Sequence, residues 1–229
     1  MRRLWRMAAV AVALGALPAW AAAQTADERP VRRLEVAVGF GLFGGARLGE
    51  GDASLRANAL SPQPFRLFST ESNFERASVI ETRLGTALTR RLEIEGRMSL
   101  SRPELRSSIS ADVENAPGLT VVERVDQYVI DAALLVVLDE LRVAGVVPFA
   151  SAGAGYLRQL HEGLTVIESG RVYHVGGGLK HWFVVRETGF ARAAGVRVDA
   201  RLYLLDGGIA LDDRPRPQGA ISGSLFVTF

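Results

Sequence analysis

From Leu34 onward, apolar positions alternate with small or charged ones at a period of two. In "RLEVAVGFGLFGG", Leu34, Val36, Val38, Phe40 and Leu42 share one face, and Glu35, Ala37, Gly39 and Gly41 share the other. The stretch "SVIETRLGTALTRRLEIEGRMSLS" reads as two strands about a turn at Thr89–Arg91. Its apolar set is Ile80, Leu84, Leu88, Leu92, Ile94, Met98 and Leu100. Glu81, Arg83, Gly85, Glu93, Glu95, Arg97 and Ser99 point the other way. "DQYVIDAALLVVL" and "VPFASAGAGYLR" form a second pair around Asp139–Gly145. "GRVYHVGGGLKHWF" and "GVRVDARLYLL" form a third, joined through Val184–Ala194, and "QGAISGSLFVTF" closes the chain. The pattern predicts eight strands of about 9–13 residues, long for a globular sheet and suited to crossing a bilayer on a tilt.

The connections alternate in length. Gly44–Arg76, Arg102–Asp126, Gln159–Gly170 and Asp206–Pro217 are long, and the intervening joins are short. All large loops therefore collect at one end of the sheet, as in membrane barrels. The stretch from Leu105 to Tyr128 reads as a hairpin that carries the fourth strand beyond the bilayer, offering an edge to a partner. Within Gly44–Arg76, Pro62, Pro64, Phe65, Phe68 and Phe74 fit a lid over the barrel mouth or a partner-binding surface, with the lid favoured.

Alternation alone does not say which face is inside. A soluble lipocalin-like barrel would turn the Leu/Val/Phe face inward, and a membrane barrel turns it outward. The other face decides between them. It carries Ala37, Gly39, Gly41, Gly85, Ser99, Ser151, Gly153, Gly155, Gly176, Gly178, Ala220, Ser222 and Ser224, small residues that relieve crowding in a narrow lumen. Between them stand Glu35, Glu81, Glu93, Glu95, Asp131 and Asp199 against Arg83, Arg97, Lys180, Arg197 and Arg201. Near-neutrality is what enclosed charges need, because each unpaired one carries a large desolvation cost. The pattern thus predicts an all-β, eight-stranded antiparallel up-and-down transmembrane barrel over 34–229, with a charge-paired lumen.

Aromatic placement fits two interfacial belts. Tyr128, Tyr156 and Tyr173 fall near the long-loop ends of their strands, and Phe149, Trp182, Phe183 and Phe229 near the turn ends.

Hydrophobic residues make up 48% of the chain, yet no run approaches the ~20 apolar residues of a membrane-spanning helix. Near the front, Arg2, Arg3 and Arg6 precede the apolar run Met7–Leu17, Pro18 breaks it, and Ala21 and Ala23 mark a small-residue cleavage site. Residues 1–23 read as an export signal and 24–33 as a short lead. Without the three signal arginines the formal charge of +2 becomes −1, and the dispersed basic residues give no footprint for nucleic acid. Cysteine is absent, which excludes disulfides and thiolate metal sites.

The segments "LTRRLEIEGRMSL", "VPFASAGAGY", "RVDARLYLLDGG" and "GSLFVTF", in that order behind a signal segment, resemble the small eight-stranded outer-membrane barrels of the OmpA/OmpX type, a porin-family domain. The resemblance implies a Gram-negative outer membrane, a side-chain-filled lumen and a role carried by loops. It also implies that the last strand, with Leu225, Val227 and Phe229, addresses the chain to the outer-membrane assembly machinery. No peptidoglycan-binding domain follows the barrel, and Phe183–Ala194 is long and apolar for a periplasmic turn.

The candidate chemistry is sparse. His161, His174 and His181 are the three histidines. Lipid A deacylases of barrel fold use a His/Ser/Glu set on the outer wall, but no serine follows any of these histidines at the two-residue spacing. "VGGGLK" lacks the spacing of a phosphate loop and no helix follows it. Glu93 and Glu95 beside Arg97 read as a structural network before a general acid–base pair. The expectation is a non-enzymatic barrel without cofactor or metal, embedded in outer-membrane lipid, with an extracellular partner at its loops. A narrow pore or a small-molecule-binding barrel is the alternative, and a lipid A deacylase a more distant one.

Overall fold

The computed structural model describes residues 34–55, 65–110, 117–162, 166–186, 190–209 and 214–229. The export signal, the lead and Pro62 and Pro64 lie outside the described residues. Eleven strands run in chain order: β1 (Leu34–Phe43), β2 (Ala46–Leu55), β3 (Phe65–Phe74), β4 (Ala77–Ala87), β5 (Leu92–Ser101), β6 (Glu104–Ser110), β7 (Leu119–Val137), β8 (Val146–His161), β9 (Ile167–Val185), β10 (Ala193–Gly207) and β11 (Arg216–Thr228). A 3-10 turn at Asp139–Leu141 joins β7 to β8.

Eight of the strands close a ring in the order β1–β4–β5–β7–β8–β9–β10–β11, and every neighbour is antiparallel. Closure comes where Val38 faces Leu225 and Gly41 faces Ser222 across β1 and β11. At the terminus the Phe229 amide donates to the Leu34 carbonyl at 2.8 Å. A closed ring leaves no unpaired strand edge. The turn at Thr89 is tied by its own side chain, whose Oγ1 accepts from the amides of Arg91 and Leu92 at 3.2 and 3.0 Å.

Gly44–Arg76 differs from the loop that period two predicts, since it holds two strands, β2 and β3. Arg102–Asp126 holds β6 and the first residues of β7, paired as the hairpin that the sequence predicts. These strands continue the wall upward as a four-stranded sheet, β2–β3–β6–β7, above the barrel mouth. β2 and β3 escape the alternation test because "ARLGEGDASL" and "FRLFSTESNF" carry few apolar residues. Phe74 from the expected lid is buried with Ala46, Leu48, Leu105 and Val125, and Ile209 packs against that cluster. Phe68 is half-buried. The described residues of the segment thus pair as a hairpin and not as coil. The wall breaks side by side at Gly44–Gly45, Glu75–Arg76 and Arg102–Pro103, whereas β7 runs through unbroken.

The interior is layered. Near the loop end lies an apolar cluster of Phe43, Val79, Val129, Leu157, Val172, Tyr203 and Leu205. Ala133, Leu135 and Phe149 cluster near the turn end. Charged side chains fill the space between. The outer wall is the reverse: Val38, Phe40 and Leu225 are 58%, 59% and 64% exposed.

Candidate functional site

The lumen is the candidate site, because period two in the wall sends every second side chain inward. Glu35 comes from β1, Glu81 and Arg83 from β4, Glu93, Glu95 and Arg97 from β5, and Asp131 from β7. Lys180 and His174 come from β9, and Arg197, Asp199 and Arg201 from β10. Among the described residues β8 adds no charge to this set; beside it β8 turns Phe149, Ser151, Gly153 and Gly155 inward. Those small residues are a spatial requirement. A Cβ on Gly153 would lie 2.5 Å from His174 Nε2, and one on Gly178 would lie 2.6 Å from the Phe149 ring and 2.1 Å from the Val198 carbonyl oxygen.

The charges form one connected set. Lys180 Nζ donates to Glu93 at 2.6 Å and to Glu35 at 3.0 Å. Arg197 lies 3.8 Å from Glu35, donates to Glu95, and reaches Asp199 at 2.8 Å. Arg201 contacts Asp199 at 2.9 Å, Glu95 at 3.4 Å and Glu81 at 3.8 Å. Arg83 donates to Glu81 and to Asp199, the latter at 2.7 Å, and also to Ser222 and Ser224 at 3.0 and 3.2 Å. Arg97 donates through Nε to Asp131 at 3.0 Å and lies 3.7 Å from Glu81. His174 Nε2 lies 3.2 Å from the second Asp131 oxygen.

Burial explains why the set must be complete. Arg197, Lys180 and Asp199 are each 1% exposed. A buried ion pair is tolerable only where further hydrogen bonds satisfy both partners. Aromatic faces supply added contact for the cations. The Arg197 guanidinium lies 4.4 Å from the Phe149 ring centroid, Arg97 lies 5.2 Å from that of Tyr203, and Lys180 Nζ lies 5.7 Å from that of Phe226.

Two aromatics assigned to the outer belt require correction. Phe149 is 3% exposed and points into the lumen, because it shares the phase of Ser151 and Gly153. Trp182 shares the phase of Lys180 and meets the inward Phe226 edge-on, with centroids 5.6 Å apart. Near them a bulge at Ala194/Gly195 sets Trp182 opposite Gly195 and leaves Phe183 as the extra residue on β9. Phe183, Tyr156 and Tyr173 are exposed on the outer wall, and Tyr128 is half-buried there. Phe229 is half-buried and meets Phe190 at a tilt, with 4.8 Å between centroids. Leu225 is exposed and Val227 half-buried.

Sequence reasoning did not single out Tyr203 or Phe226 as partners of the cations. Their parity would have found them, since Tyr203 follows Arg201 by two residues and Phe226 follows Ser224 by two. The other histidines lie apart from the lumen set. His161 Nδ1 lies 2.9 Å from Glu123 Oε1, and His181 donates through Nδ1 to the Gly145 carbonyl at 3.3 Å. Glu93 and Glu95 are engaged by Lys180 and Arg197 respectively. Among the described residues no cluster of metal-ligating side chains occurs.

No protein-family profile matches the chain. No curated protein matches it either. Several solved structures are similar to it. One is the outer membrane protein OprG from Pseudomonas aeruginosa, at 8% identity and a TM-score of 0.47, covering 85% of this chain and 95% of that one. Neisserial surface protein A is similar at 12% identity and a TM-score of 0.44, covering 86% and 97%. Ail, the attachment invasion locus protein of Yersinia pestis, solved with the heparin analogue sucrose octasulfate, is similar at 11% identity and a TM-score of 0.36, covering 86% and 99%.

Proposed function

We propose that this chain is an integral outer-membrane barrel without enzymatic activity, closed by its own side chains, that acts through the sheet and loops above its mouth. The observation that carries the reading is the inverted distribution of polarity. Val38, Phe40, Leu84, Ile130, Val175, Leu202 and Leu225 are exposed on the wall, while the arginines and carboxylates are inside. Water would reject that wall, whereas lipid requires it. The strands are long enough to cross on a tilt, and closure satisfies every backbone group of the ring.

The finer parts of the reading rest on the sequence. The OmpA/OmpX-type resemblance and the export signal of residues 1–23 argue for a Gram-negative outer membrane. Leu225, Val227 and Phe229 form the assembly address, recognised by the insertion machinery. Lumen charges tied across the barrel leave no continuous path for solutes, which favours a structural or adhesive role over a pore. The four-stranded sheet supports that role. Its free edges, along β2 and along the first residues of β7, are where an extracellular partner strand would add.

The test is cell fractionation together with unboiled gel mobility. The protein should sediment with the outer membrane and migrate differently before and after heating. Recovery from the soluble periplasm would refute the reading in favour of a lipocalin-like barrel. A lipid A deacylase reading would instead require loss of acyl chains on expression, abolished by H181A.

A further inference from the structure

On the outer wall, two adjacent strands repeat one order of side chains toward the loop end. β8 presents Ala150, Ala152, Ala154, then Tyr156, then Arg158. β9 presents Leu179, Gly177, Val175, then Tyr173, then Arg171. The registers bring them together: Tyr156 faces Arg171, Arg158 faces Ser169, and Tyr128 of β7 faces Arg158. Facing side chains in a ladder start about 5 Å apart and diagonal ones about 7–8 Å apart. Arg158 and Arg171 stand on such a diagonal, so their guanidinia can converge on one small anion. The Tyr156 hydroxyl donates to Ser169 Oγ at 2.7 Å, which fixes its ring beside both arginines.

The contrast with the lumen is chemical. Inside, each of Arg83, Arg97, Arg197 and Arg201 is held by carboxylates. Among the described residues neither Arg158 nor Arg171 makes an ion pair. The carboxylates nearest in register do not serve them. Asp126 is engaged by Arg102 at 2.8 Å, and Asp206, opposite Arg171, closes no ion pair with it. Both arginines are exposed, directly above apolar wall and tyrosine rings.

We propose that Arg158 and Arg171, with Tyr156 and Tyr173 beneath them, hold the phosphate of a lipid headgroup in the leaflet that the loops face. The inference rests on the membrane reading above. A planar guanidinium offers two parallel donors to phosphate oxygens. Tyrosine rings sit at headgroup depth with their hydroxyls toward water. Acyl chains of the same lipid would lie along Ala152, Ala154, Val175 and Gly177, three of which carry a methyl group or no side chain.

The test is native mass spectrometry of the folded barrel in a maltoside detergent, with bisphosphorylated lipid A as the probe. The wild-type protein should retain a lipid adduct, and R158Q/R171Q should retain at least ~10-fold less. Dephosphorylated lipid A should not be retained, and millimolar inorganic phosphate should not displace the lipid. R142Q, at the opposite end of the barrel, should behave as wild type. Equal retention by R158Q/R171Q, or retention of the dephosphorylated lipid, would overturn the proposal, and displacement by inorganic phosphate would reassign the site to a free anion. Should the double glutamine variant not fold, R158K/R171K keeps the charge without the fork, and undiminished retention by it overturns the guanidinium assignment. Heat-shifted gel mobility of each protein separates these outcomes from failure of the barrel reading itself.

Discussion

Arg197 on β10 and Glu95 on β5 meet across the full width of the barrel, because their strands stand four places apart in a ring of eight. Arg201 reaches the same carboxylate at 3.4 Å, and Arg83 on β4 reaches back to Asp199 on β10 at 2.7 Å. Opposite walls are therefore tied to each other by side chains as well as to their neighbours by backbone.

Arg197→Leu should leave Glu95 in a dry interior with only the longer contact to Arg201 at 3.4 Å. Breaking such a pair costs about 3–5 kcal/mol. Urea titration of the folded band on unboiled gels should show that loss, whereas Arg124→Leu, at an exposed side chain, should leave the midpoint unchanged.

Removing the partner as well should recover part of the loss. In R197L/E95L the stranded charge is gone and apolar groups fill the same volume, a replacement that is often close to neutral. Asp199 keeps Arg83 and Arg201 in that variant. The double variant should therefore be more stable than R197L alone in the same titration.

In the occluded barrel proposed above, the cross-lumen ties would also block solute flow. Wild-type protein in planar bilayers should give no large, steady conductance. Such a conductance would replace the occluded barrel with a porin. Truncating Arg97, Arg197 and Arg201 together to alanine should raise leakage to small ions, read as current at fixed voltage.

The small inward residues set a limit on volume. Gly178→Val would drive its side chain into the Phe149 ring and the Val198 carbonyl. Overpacking of this kind costs about 1–3 kcal/mol or more. The folded fraction after refolding into detergent should fall, while Gly51→Val should have little effect, since nothing lies within 4 Å of a Cβ there.

Deletion of Phe229 should impair insertion into the outer membrane more than it lowers the stability of barrels already inserted. The residue contributes its amide to the Leu34 carbonyl at the closing seam and its ring to Phe190 of the β9–β10 connection. Normal insertion of the truncated chain would refute the assembly role of the last strand.

The ring was legible because its strands alternate strictly, as in "LEIEGRMSLS", where one face is apolar throughout. β2 and β3 were not, because strands with water on one side and few apolar residues on the other leave little period-two signal. In the lumen, parity gave the direction of a side chain such as Glu95 but not its partner. The tie to Arg197 depends on ring order, and ring order depends on where β1 meets β11. Phe149 and Trp182 show the opposite failure. Being aromatic near strand ends outweighed their parity in the sequence reading, yet their position in the pleat decides where they point.

The three breaks at Gly44–Gly45, Glu75–Arg76 and Arg102–Pro103 separate the upper sheet from the wall in every strand except β7. Change can therefore accumulate on one side of the seam without reaching the other. In the proposed outer-membrane orientation, substitutions in β2, β3 and β6 would remodel what the cell displays to its surroundings, while the ring beneath would keep its register, its ties and its route of assembly. In such a chain the displayed surface is free to diversify under outside pressure, and β7 is the one strand that must answer to both demands.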